Sequence, residues 1–167
     1  MTDETLTPAR LWKRMTGEQR QRAARAFWSD PEAKADHLQA VTLIAQQKKF
    51  RPKTVNGLDL DRKARHLATL PSLPDTLAAR VLVLYHLAEH RPMMGAFLDA
   101  LGIAHENGLI EEEAVKPDPQ KIGPAVDAVA KQFPADDVRL YLETLLCQDS
   151  DTWGALADTD ALRAPAT

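Results

Sequence analysis

Apolar residues recur along this chain at the spacing of helices rather than strands. In "EAKADHLQAVTLIAQQKKF", Leu38, Val41, Ile44 and Ala45 fall on one stripe of a 3.6-residue repeat. In "DTLAARVLVLYHLAEH" the same spacing puts Leu77, Val81, Leu84, Tyr85 and Ala88 on one side. No segment alternates apolar and polar positions over more than a few residues, and β-branched residues are sparse, so the pattern predicts almost no strand.

The breaks between these segments carry helix-end chemistry. Thr7-Pro8 and Asp30-Pro31 each read as an N-cap followed by proline at the first helical position. Thr16-Gly17 divides the first helix from "GEQRQRAARAFW", "RPKTVNG" reads as a loop, and Asp59 is placed to cap "LDRKARHLATL". Pro92 opens "MMGAFLDAL", which Gly102 closes as the residue after the helix end. The proline-rich "AVKPDPQKIGP", residues 114–124, is the longest expected connector. Two further helices and a short last one follow. The expected architecture is all-α, with about eight or nine helices in a compact bundle or a short array of helical hairpins. Residues 1–162 are read as a single domain, with a subdivision at 114–124 as the alternative, and 163–167 as a frayed tail.

Composition narrows the class. The chain has 167 residues, 44% hydrophobic and 27% charged, which suits a soluble globular domain with its own core. Its most continuous apolar run, "VLVLY", falls far short of the roughly 20 residues needed to span a bilayer. The polar start is unlike a secretory leader, and the single Cys147 leaves no intrachain disulfide. A cytoplasmic protein is expected.

Charge changes the picture more. Residues 1–83 hold 15 Lys/Arg against 9 Asp/Glu, an excess of 6 positive charges. Residues 84–167 hold 6 against 15, an excess of 9 negative charges, and the two balances give the −3 of the whole chain. Either the halves complement each other or the first offers a basic surface to a partner. The basic residues concentrate in Lys48, Lys49, Arg51, Lys53, Arg62, Lys63 and Arg65, opposed locally only by Asp59 and Asp61. Phe50 sits among them as a stacking candidate. Such a cluster suits nucleic acid or another anion.

Candidate chemistry is otherwise thin. "HLAEH" has the His-x-x-Glu-His spacing of a zinc site: on one helix His86 and His90 would share a face, with Glu89 beside a bound water and His105 or Glu106 as a third ligand. Against it, the apolar stripe places both histidines on the solvent side, and His90 at a helix C-terminus is favourable against the helix dipole without any metal. "DSDTWGALADTD" partly imitates a calcium loop, with Asp149, Asp151, Gly154 and Asp160 in register, but Trp153 occupies a ligand position. Phosphate-loop, dinucleotide and nucleophile-elbow motifs are missing, and Cys147 lies on an apolar helix. No catalytic residue is assigned and no cofactor is expected. Met93, Met94 and Phe97 form an apolar face that suits either a core or an adaptable partner-binding groove. The leading expectation is a non-enzymatic protein–protein interaction module, followed by nucleic-acid binding through 48–65 and then by a metal or zinc-hydrolase site at His86-x-x-Glu89-His90.

Overall fold

The computed structural model describes residues 6–106, 108–110 and 116–163. Its architecture is all-α: eleven helices and one two-stranded hairpin among the described residues. The chain groups into two compact units, Met1–Ala88 and Glu89–Thr167. The expected subdivision at 114–124 falls inside the second unit. Residues 84–88 contain no Asp, Glu, Lys or Arg, so the charge divide coincides with the structural one: 15 Lys/Arg against 9 Asp/Glu in the first unit, 6 against 15 in the second.

The first unit begins with α1 (Pro8–Arg14) and α2 (Gly17–Ser29). Thr7 caps α1 by accepting the Arg10 N–H. α2 has a full capping box, in which the Thr16 hydroxyl accepts the Gln19 N–H at 3.1 Å and the Gln19 side chain accepts the Thr16 N–H at 2.9 Å. Asp30 does not start α3 as its proline suggested. It closes α2 and accepts the Glu32 N–H, and α3 runs from Lys34 to Lys48. "RPKTVNG", expected as loop, contains the short α4 (Pro52–Asn56), with Pro52 at its first turn and only Val55 buried. α5 (Leu60–Ala68) is capped by Asp59, and α6 runs from Asp75 to Glu89, ending on the first residue of the second unit.

α2 packs along α5, and α3 lies against both α4 and α5. α5 shows why: Ala64, Leu67 and Ala68 are buried on one side while Arg62, Arg65 and Thr69 stay exposed on the other. Two small alanines in the buried stripe let the neighbouring backbone come close. Trp12, Phe27, Ile44, Leu67 and Leu77 are fully buried in this unit.

The second unit comprises α7 (Arg91–Leu101), the hairpin β1 (His105–Glu106) and β2 (Leu109–Ile110), α8 (Pro119–Gln132), α9 (Ala135–Gln148), α10 (Ser150–Trp153), a 3-10 turn (Gly154–Asp158) and α11 (Asp160–Arg163). The hairpin is antiparallel, with His105 opposite Ile110 and Glu106 opposite Leu109. It was not legible in the sequence, because two residues per strand are too few to show alternation. α8 begins within the expected connector: Asp118 caps it and Pro119 is its first residue, the cap-then-proline signal again. α7 packs on α8, and Phe97 meets Tyr141 edge-on at 5.8 Å and Trp153 at 6.0 Å. Burial pushes the Tyr141 phenol well above its ordinary range, through loss of solvent around the phenolate.

Candidate functional site

The basic residues of 48–65 lie on the last turn of α3, the α3–α4 turn, α4 and α5. Tertiary structure brings the ends of α3 and α5 together. The Lys48 ammonium donates to the Thr69 hydroxyl at 3.3 Å, and Phe50 packs against His66 with ring centroids 5.3 Å apart at 85°. Lys48, Phe50, Arg65, His66 and Thr69 therefore form one cluster. The His66 imidazole is held below its ordinary pKa, first by partial burial and then by the positive charges of Lys48 and Arg65.

Apart from Lys48, which bonds Thr69, the other six basic residues separate into two groups. Arg62 faces Asp59 at 3.9 Å, Lys63 sits over the Trp28 ring at 5.5 Å, and Asp61, the other local acid, pairs with Arg25 of α2. These contacts are internal to the fold. Lys49, Arg51, Lys53 and Arg65 have no acidic partner within 4.0 Å among the described residues, and all four are exposed. Lys49 is also the only non-glycine described residue with a positive φ, 59°, as the C-cap of α3. Glycine or asparagine takes that left-handed position at lower cost. A lysine there places a charge at the helix end, where the dipole favours it, in a conformation that local stability alone would assign to another residue.

Sequence reasoning missed His66. It falls just beyond the basic run and makes no motif, although its spacing from Arg62 places both on one side of α5.

The metal candidates are not gathered into a ligand set. α6 stops at Glu89, and His90 leaves the helix at φ −126°, serving as the N-cap of α7. His86 and His90 therefore do not share one helical face, and His90 stands at the junction between the end of α6 and the start of α7. Neither is solvated as expected: His86 is 1% exposed and the His90 side chain 11%. The buried stripe of α6 runs through Leu77, Ala78, Val81, Leu82, Tyr85 and His86, rotated from the expected one, while Ala88 is exposed. His90 Nε2 lies 3.6 Å from Asp137 Oδ1 in a cleft of about 200 Å³ also lined by Glu89, Phe133 and Pro134. His105 is occupied elsewhere. Its Nδ1 accepts the Gly108 N–H at 3.0 Å, which puts the ring proton on Nε2, and Nε2 donates to Asp99 at 2.7 Å. Among the described residues no three His, Cys, Asp or Glu side chains are placed to hold a metal ion.

The remaining candidates have structural places. Met93, Met94 and Phe97 are buried at 1%, 7% and 0% exposure, so they belong to the core of the second unit and do not form an open groove. Asp149 caps α10 through the Thr152 N–H and hydroxyl, which hold its carboxyl below the ordinary range. Asp160 starts α11 and lines a cleft of about 370 Å³ with Asp127 and Asp158. Cys147 is half-buried on α9. Glu106 is exposed on β1. No helix among the described residues is long and apolar enough to cross a membrane.

Comparison of the chain with protein-family models, with curated proteins and with solved structures gives no match.

Proposed function

We propose that this protein is a non-enzymatic interaction module that engages an acidic macromolecular partner through the basic surface of its first unit. One observation carries the reading: Lys49, Arg51, Lys53 and Arg65 are exposed with no acidic partner within 4.0 Å among the described residues, beside the cluster in which Lys48 bonds Thr69 and Phe50 packs on His66. Surface cations not engaged by the fold's own carboxylates remain available to a partner, and a net positive unit steers an acidic partner toward them. On the single cysteine, the proposal extends to a cytoplasmic setting.

The experiment is a salt titration of polyanion binding on the full chain, with heparin as a generic probe. Binding should weaken steeply as salt rises, and Lys49→Glu combined with Arg51→Glu should abolish it. Retention of full affinity by the double variant would refute the assignment of this surface.

A further inference from the structure

The cluster at the ends of α3 and α5 contains more than charge. Phe50 is one of only three large apolar side chains left exposed among the described residues, at 38%, and it stands between cations in the sequence. Lys48 and Lys49 precede it and Arg51 follows it. Its ring is fixed by the perpendicular contact with His66, and the Lys48 ammonium is fixed by Thr69. An acidic peptide would use the cations and gain little from a partly open aromatic ring. A duplex would also use the cations, but its base faces are stacked away inside the helix. A single strand offers both features: a phosphate at every step and an unstacked π-face.

We propose that this site takes a single strand of nucleic acid, with a backbone phosphate held between Lys48 and Arg65 and a base stacked on Phe50. The inference rests on the reading of the first unit as a binder of acidic partners and names the class of partner. The Lys49, Arg51 and Lys53 charges extend the track for the phosphates on either side. Lys48 gives up only a hydrogen bond to Thr69, which has other partners: its hydroxyl also donates to the carbonyls of Arg65 and His66. The site is therefore prepared for an anion without breaking an ion pair.

The test compares three probes on the full chain by fluorescence anisotropy at low salt: a short oligothymidylate, a mixed-sequence duplex of equal charge, and polyglutamate. Phe50→Leu and Phe50→Tyr are measured beside wild type, with circular dichroism melts to confirm that each variant folds. Oligothymidylate should bind tightest. Phe50→Leu should lower its affinity by roughly tenfold, a stacking contribution of ordinary size, and leave duplex binding unchanged. Phe50→Tyr should retain the affinity. Equal affinity for the single strand and the duplex, with Phe50→Leu silent, would overturn the proposal and leave a charge-only polyanion surface. Tightest binding to polyglutamate would overturn it in favour of an acidic protein partner. Failure of all three probes to bind would overturn both this inference and the functional reading beneath it.

Discussion

Phe50 stands nearly perpendicular to His66, with ring centroids 5.3 Å apart at 85°. The contact joins the α3–α4 turn to the far end of α5. It brings an imidazole under the field of Lys48 and Arg65, and it makes His66 a reporter of everything that binds there.

The first prediction concerns that reporter. His66 has its pKa lowered from 6.5 by partial burial and by Lys48 and Arg65, and no acidic group is among the causes. Asp59 and Asp61 at the start of α5 are engaged by Arg62 and Arg25. Below pH 6.5 the unfolded chain therefore binds more protons than the folded one. The stability associated with neutral His66 is fully present above 6.5 and is lost as pH falls through the folded value. NMR titration should find His66 below the ordinary histidine range, and Lys48→Met should move it upward. A bound phosphate should also move it upward, so polyanion affinity should rise as pH falls through this range, and His66→Gln should flatten that dependence.

Lys49 sets stability against binding. Its left-handed backbone costs a non-glycine residue about 1 kcal/mol. Lys49→Gly should therefore raise the stability of the first unit by roughly 0.5–1 kcal/mol in urea melts. The same substitution should weaken polyanion binding and reduce the slope of log K against log salt by about one. Loss of stability would show that the lysine side chain makes contacts that outweigh the backbone cost.

The hairpin depends on two glycines and one histidine. A Cβ on Gly108, at φ 90°, would lie 2.7 Å from the Met94 Cβ, and one on Gly95 would meet the His105 ring at 3.2 Å. Gly108→Ala should cost about 2 kcal/mol or more, from an unfavourable φ and a clash with α7. His105→Ala should cost about 1–2 kcal/mol by removing the Asp99 and Gly108 hydrogen bonds. Hydrogen exchange should localise both losses to residues 103–110 and the adjoining turns of α7.

Met94 tests whether the methionine face is core. Met94→Asp places an uncompensated carboxylate at a site 7% exposed, beside the packed Phe97. The second unit should unfold or melt at much lower denaturant, while polyanion binding by the first unit's basic surface persists in whatever fraction stays folded. A folded variant with unchanged melting would mean that the face opens in solution.

The histidine pair makes the metal prediction. Added zinc should leave the melting temperature of the metal-stripped protein unchanged, because His90 lies outside the helix that carries His86. A zinc-dependent rise that disappears in His86→Ala would show a site assembled in solution from other ligands.

Local chemistry alone determined much of this protein. Thr7, Thr16 with Gln19, and Asp59 each satisfy backbone groups within a few residues of themselves, so helix starts at 8, 17 and 60 are legible without any tertiary information. The all-α class follows from the same short-range rules, and so does the charge contrast between the two halves. Other features lay beyond those rules. α6 is apolar on most of its surface, so its own periodicity could not say which residues are buried, and packing turned His86 inward. Asp30-Pro31 and Asp118-Pro119 look alike in sequence, yet the first closes a helix and the second opens one. The Phe50–His66 contact spans sixteen positions, the Lys48–Thr69 bond twenty-one, and the hairpin's histidine finds its carboxylate on α7. Such contacts depend on which helix faces lie together. That is settled by burying apolar area across the whole unit, and no short window of sequence contains it.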